Sequence, residues 1–172
     1  MATLIKEQRI VADSWRLLSR GPKGELPEVP AQGDVIVPLA LWLDRRDAFL
    51  AYPGKLGVWL DANEGPEAIA GDLQRFAVIA VNFPKFGDGR GYSIARLLRE
   101  RYGYEGELRA IGDVLHDFLY FMKQCGFDAF ALRDDQDADE ALAAFDTFSE
   151  GYQTSVLRPA PLFRRRLAAA KQ

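Results

Sequence analysis

Phe76-Ala77-Val78-Ile79-Ala80-Val81 leads into Asn82-Phe83-Pro84-Lys85-Phe86-Gly87-Asp88-Gly89-Arg90-Gly91-Tyr92-Ser93, and from there into Ile94-Ala95-Arg96-Leu97-Leu98-Arg99-Glu100-Arg101-Tyr102. The first run is apolar on both faces, as a central strand of a parallel sheet is. The last run carries a helical pattern and stops before Gly103, a helix-stop signal. Between them lies a glycine-punctuated loop with Lys85, Asp88 and Arg90, and Arg96 follows in the first turn of the helical run. In parallel α/β sheets the junction after a strand is where ligands bind.

The same alternation continues on both sides. Residues 35–39 read as a short apolar strand, and 41–52 as a helix stopped by Pro53-Gly54. Residues 56–60 form a second strand, and 66–75 a helix with proline in its first turn. After the central unit come a strand over 107–111, a helix over 114–125 closed by Gly126, a strand over 128–132 and a last helix over 139–152. Residues 5–11 read as a small hairpin or edge strand, and 19–33 as a surface loop rich in Gly, Pro and charge. Strands alternating with helices predict an α/β domain of about five βα units with a mainly parallel sheet. The arrangement is either an open doubly wound sheet or half of a (β/α)₈ barrel, since a full barrel needs about 250 residues. One domain is expected over 1–172: hairpin and loop at 1–33, βα units at 34–152, and a tail at 153–172 with the basic run Arg164-Arg165-Arg166. Either arrangement gathers Asp61, Asn63, the 82–93 loop, Asp113 and residues 133–135 on one sheet edge.

Composition narrows the chemistry. Apolar residues make up 48% and charged residues 27% of the chain, ordinary values for a globular protein. The net charge of −3 does not favour nucleic-acid binding. No apolar run is long enough for a membrane span, and the first residues lack a signal-peptide pattern. One cysteine allows no intrachain disulfide, so the expected compartment is the cytoplasm. With one Cys and one His, neither a structural zinc site nor an iron–sulfur cluster can be assembled from one chain. Carboxylate-held magnesium or manganese stays open, but no metal ligands are singled out, and no cofactor is assigned.

Gly87, Gly89 and Gly91 allow close backbone approach at a helix start, where free amides and the helix dipole favour an anion. Lys85, Arg90, Tyr92, Ser93 and Arg96 are the candidate anion- or substrate-binding residues, because guanidinium groups grip oxyanions with paired hydrogen bonds. The glycine spacing is neither the dinucleotide fingerprint nor a Walker A loop. The alternative is a tight turn in which Asp88 caps the helix and the arginines pair with neighbouring acids. Asp88, Asp113 and His116 are the candidate catalytic groups, as general bases or a titrating partner. The plain reading of Asp113 is an N-cap for the helix from Val114, and that of His116 is a packing residue. Cys125, at a helix end, reads as buried packing rather than a reactive thiolate. Phe118, Tyr120, Phe121, Phe127 and Phe130 read first as core and second as a flavin-stacking surface.

Three segments resemble a bacterial domain-of-unknown-function family, number nine-three-four: residues 33–39, the loop and helix over 83–99, and the block 106–115. Cys125-Gly126-Phe127-Asp128-Ala129-Phe130 matches it as well. The resemblance covers residues 5 to 166. Members of that family are typically encoded beside sulfite reductase and labelled "probable oxidoreductase" in sulfite reduction. The resemblance therefore implies a role in sulfur assimilation. The leading expectation is an accessory protein of assimilatory sulfite reduction that binds a sulfur oxyanion, or sulfite reductase or its electron donor. An enzyme acting on a small phosphorylated or carboxylated substrate, and a non-catalytic scaffold, are the alternatives.

Overall fold

The computed structural model describes residues 3–148 and 151–169. The chain opens with β1 (Leu4–Lys6) and β2 (Arg9–Val11), joined as a two-residue hairpin through Glu7 and Gln8, both at positive φ. This is the backbone twist that two-residue hairpins require. β3 (Arg16–Leu17) and β4 (Val35–Pro38) follow, then α1 (Leu39–Asp44), α2 (Arg46–Phe49) and β5 (Leu56–Leu60). Next come β6 (Val78–Phe83), α3 (Arg90–Arg96) continued by a wider π-helical turn over Leu97–Arg101, and β7 (Glu107–Gly112). The last elements are α4 (Leu119–Gln124), β8 (Ala129–Ala131), α5 (Ala138–Ala144) and α6 (Leu162–Ala169).

All eight strands join one sheet in the order β2-β1-β8-β7-β6-β5-β4-β3. From β3 to β8 the neighbours are parallel and consecutive, and the hairpin adds two antiparallel strands beyond β8. Of the two expected arrangements this is the half-barrel, since the order never reverses as it does in a doubly wound sheet. Right-handed crossovers run in one direction deliver every helix to the same face. The packing agrees. Trp42, Phe49, Ile94, Leu98, Leu119, Met122 and Phe145 from the helical side share one core with Val37, Val58, Ile79, Val81, Leu108 and Phe130 of the strands.

The opposite face holds a smaller cluster of Ile36, Trp59, Val78, Ala80 and Ile111, covered in part by Trp15. Here the N-terminal segment acts as a strap. The backbone of Leu18 accepts a hydrogen bond from Trp59 Nε1 at 2.9 Å, and the Arg20 guanidinium lies 5.0 Å from the Trp59 ring centre. Arg109, only 3% exposed, donates to Glu107 through Nε at 2.8 Å and to Asp13 of the strap through Nη1 at 2.8 Å. Lys6 of the hairpin reaches the other Glu107 oxygen at 2.8 Å. A buried arginine is tolerated only when its donors are met this way.

Several expected boundaries move. There are six parallel strands rather than five, because Arg16–Leu17 pairs with Val35–Ile36 through only two residues. Residues 41–52 hold two short helices separated at Arg45, whose φ of −126° lies outside the helical region. Residues 66–75 form two 3₁₀ turns, Pro66–Ile69 and Leu73–Arg75. The helix expected from Val114 starts later, with a 3₁₀ turn at His116–Phe118 before α4. The last expected helix ends at Ala144, with Asp137 capping it through Asp139 N–H (2.9 Å) and Glu140 N–H (3.0 Å). Its residues 149 and 150 lie outside the described residues. The tail carries α6.

Glu107→Ala leaves the buried Arg109 guanidinium with only the partly exposed Asp13 as carboxylate partner. The expected loss is about 3 kcal/mol of folding stability, as for other halved buried ion pairs. Asp13→Ala costs less, because Glu107 still holds Arg109. Urea denaturation of the two variants measures both.

Candidate functional site

The loops that leave β5, β6, β7 and β8 meet at the C-terminal edge of the sheet, bringing together residues far apart in sequence. After β5, Asp61 Oδ1 accepts from Asn82 Nδ2 at 3.0 Å, tying the ends of β5 and β6. Glu64 Oε2 accepts the Asp61 N–H at 2.9 Å, and Glu64 also pairs with Arg20 of the strap. After β7, Asp113 Oδ2 accepts the backbone N–H of Phe86 at 2.8 Å, while its Oδ1 holds Arg133 Nη1 at 2.6 Å. Arg133 closes a second pair on Asp135, at 2.6 and 2.8 Å. Asn63 is exposed on the same edge.

Two glycines set this geometry. Gly112 sits at φ +92°, and a Cβ there would lie 2.4 Å from Asn82 Oδ1 and 2.5 Å from the Phe83 carbonyl oxygen. Gly91 lets α3 press on β6, where a Cβ would meet the Phe83 ring at 2.7 Å. The close approach of loop, strand and helix depends on both positions lacking a side chain.

The helix start at Arg90 already carries its anion. Asp88 Oδ1 accepts the Arg90 N–H at 3.2 Å, and the Arg90 guanidinium returns Nε at 2.9 Å and Nη2 at 2.5 Å. The Arg90 side chain, followed by its backbone N–H, lowers the Asp88 carboxyl to about 2. A carboxylate so far below neutrality is a weak general base. Arg133 likewise holds Asp135 below its ordinary value. Asp113 spends its oxygens on the loop and on Arg133, not on the helix that follows, so it is not the expected N-cap. His116 places Nδ1 2.8 Å from Gln136 Oε1 and Nε2 3.4 Å from Asp117. Its ring therefore answers to Gln136 and Asp117, not to Asp113.

Two residues at the loop tip have a different character. Lys85 is exposed, and its side chain forms no hydrogen bond or ion pair with a described residue, while its carbonyl accepts the Asp88 N–H at 2.9 Å. Phe86 is 57% exposed and stacks on Phe118, with ring centres 6.2 Å apart and planes 24° apart. The Asp113 bond holds its backbone, and Phe118 packs against its ring. Phe86 escaped the sequence reading because an aromatic beside a glycine loop gives no sign that it points outward.

Tyr92, Ser93 and Arg96 lie elsewhere. They line the side of α3 that faces α4, with Tyr92 edge-to-face on Phe121 at 4.8 Å. Arg96 pairs with Glu100 one turn along at 3.0 Å. The expected anion-binding set is thus divided between the loop (Lys85, Arg90) and the helix layer (Tyr92, Ser93, Arg96). Cys125 is buried at 4% exposure, and that burial pushes its thiol up to about 11. Among the described residues no three His, Cys, Asp or Glu side chains converge as metal ligands, and no helix is long and apolar enough to cross a membrane.

Asp113→Ala removes the bond that holds the loop tip. The Phe86 amide is expected to exchange with solvent at least tenfold faster, read by hydrogen-exchange NMR, since an exposed loop amide loses its protecting acceptor. Cys125 carries a pH signature. Its thiol titrates near 9.0 in an ordinary environment and near 11 in the fold. Between these values the unfolded chain sheds the proton first, so stability falls as pH rises from 9 to 11. Cys125→Ala removes this part of the alkaline decline, on the order of 1 kcal/mol, measured by urea denaturation at pH 8 and pH 10.5.

No curated protein and no solved structure matches the chain. A family model described as a bacterial protein of unknown function (DUF934) matches residues 57–163. That span begins at the second residue of β5 and takes in the whole edge from Asp61 to Asp135 together with α3, α4 and α5. With well over half of its length in the match, the chain belongs to the bacterial DUF934 family.

Proposed function

We propose that this protein is a cytoplasmic accessory of assimilatory sulfite reduction that docks on sulfite reductase or its electron donor through the C-terminal edge of its sheet. The pathway rests on the family's association with sulfite reductase genes. The mode of action rests on the edge itself. Its guanidinium groups come already paired: Arg90 with Asp88, and Arg133 with Asp113 and Asp135. A free sulfur oxyanion would have to displace these carboxylates, which favours a protein surface over an oxyanion pocket as the ligand.

The observation that carries the proposal is the loop tip. Phe86 stands 57% exposed, stacked on Phe118 and held by Asp113, beside the exposed Lys85. An aromatic on an anchored backbone, next to a cation whose side chain has no partner among the described residues and ringed by satisfied polar groups, has the composition of an interface anchor with its rim. The preferred partner face is an apolar pocket bordered by a carboxylate.

The test is interferometry with the purified protein immobilised and the sulfite reductase and electron donor of the same bacterium in solution. Binding is expected to one of them, weakened at least tenfold by Phe86→Ala and several-fold by Lys85→Glu, with melting temperatures unchanged. Interface anchors commonly lose this much on truncation. Absence of binding to either, or binding indifferent to both substitutions, overturns the proposal. Calorimetry with sulfite, sulfate and phosphate is expected to be silent, and a heat abolished by Lys85→Ala would return the oxyanion reading in its place.

A further inference from the structure

A cavity of about 570 Å³ lies on the helical side of the sheet, between α3 and α4 and against Phe148 and residues 151–155. Its volume falls in the range of small-molecule sites. It is separate from the paired loop tip, and its contents are chemically distinct. Two edge-to-face aromatic pairs form its walls. Tyr92 meets Phe121 at 4.8 Å and 68°, and Tyr120 meets Phe148 at 5.2 Å and 65°.

Polar side chains also line it, Arg96, Gln124 and Ser155 among them, and their hydrogen-bonding capacity is incompletely used. The Tyr120 hydroxyl is closed off from solvent and has no hydrogen-bond partner among the described residues. A buried hydroxyl in that state is uncommon and calls for a missing partner. Gln124 Oε1 accepts from the Ser155 hydroxyl at 2.7 Å, which fixes the side-chain amide with its NH₂ group free of any bond to a described residue. Arg96 is the one charged side chain among the described lining residues. Its pairing with Glu100 uses Nη2 alone, and both side chains are about half exposed, at 47% and 48%. An ion pair so exposed holds its members weakly, so the remaining guanidinium donors are available to an acid at the cavity mouth.

We infer that this cavity binds a small planar aromatic acid. The ring lies against the Tyr92–Phe121 and Tyr120–Phe148 walls, and the acid group sits on Arg96. Flat aromatic walls select a planar apolar body, because edge-to-face and offset contacts need a ring as partner. The one charged lining side chain, Arg96, selects a single negative charge on that body, through charge-assisted hydrogen bonds from the donors that Glu100 leaves unused. The Gln124 amide supplies the orienting polar contact. The inference is independent of sulfite reduction, since none of these residues belongs to the Lys85–Phe86 tip.

The test uses indole-3-acetate, 1-naphthoate and 2-aminobenzoate, each beside its neutral amide, in saturation-transfer NMR and calorimetry with the chain of residues 1–172. At least one acid is expected to bind, fivefold or more tighter than its amide. Arg96→Gln is expected to bring that acid down to the level of the amide while leaving the amide unchanged. Ser93→Trp, a substitution at an exposed helix position on the cavity rim, is expected to abolish binding of both. Melting temperatures within a degree or two of the parent protein establish that the variants are folded. Binding by none of the three acids, an acid affinity unchanged in Arg96→Gln, or binding that survives Ser93→Trp overturns the inference.

Discussion

A parallel sheet must bury both of its faces, and in this protein the helices can cover only one. Because the strands from β3 to β8 lie in chain order, every crossover returns on the same side. The other face, with Ile36, Trp59, Val78 and Ala80, must be covered by something that is not a crossover helix. The N-terminal segment does this, with Trp15 over the apolar cluster, Leu18 bonded to Trp59, and Asp13 meeting Arg109. The hairpin extends the same solution by pairing β1 with β8 and sending Lys6 to Glu107. The Lys6–Glu107–Arg109–Asp13 chain therefore joins both ends of the N-terminal region to the centre of the sheet.

That arrangement also organises the candidate edge. Arg20 continues the strap to Glu64, Glu64 fixes Asp61, and Asp61 fixes Asn82 at the end of β6. From the other side Arg133 fixes Asp113, and Asp113 fixes the backbone of Phe86. The central loop is thus held from two neighbouring strands. Its acids and arginines serve one another, and what it presents outward is Lys85 and Phe86. The edge is charged in composition but largely neutralised in geometry, and its outward chemistry is aromatic and cationic.

Much of this was readable in advance, and the exceptions have physical causes. The strands at 35–38, 56–60 and 78–83 are apolar on both faces over most of their length, and 107–112 is apolar on the face of Leu108 and Ala110, patterns that survive any tertiary context. The meeting of Asp61, the 82–93 loop, Asp113 and Arg133 on one edge follows from parallel connectivity alone. The pairing of Arg90 with a neighbouring acid, Asp88, was legible in one of two readings of the glycine loop. β3 was not legible, because two exposed residues offer no periodicity and pair only through β4. The late start of α4 was hidden because Val114 is drawn wholly into the core, which pulls the backbone out of helical register there. Tyr92, Ser93 and Arg96, grouped with Lys85 and Arg90 as anion-binding candidates, stand apart from them in the fold for a helical reason. With Ile94, Ala95 and Leu98 turned to the sheet, residues 92, 93 and 96 are carried round to the flank that faces α4.

The sequence by itself determined the α/β class, the parallel strands, the edge on which the loops collect and the membership of a glycine-rich loop in that edge. These follow from hydrophobic period and turn chemistry, which act within a few residues of each other. Only the tertiary structure decided which charges are spent and which are free. Arg90 and Asp88 are near neighbours, yet Asp113 finds Phe86 and Arg133, Arg109 finds Asp13, and Tyr120 finds no partner at all among the described residues. Charge pairing is set by distance in space, and the one-directional winding of the sheet is what places those residues within reach of one another.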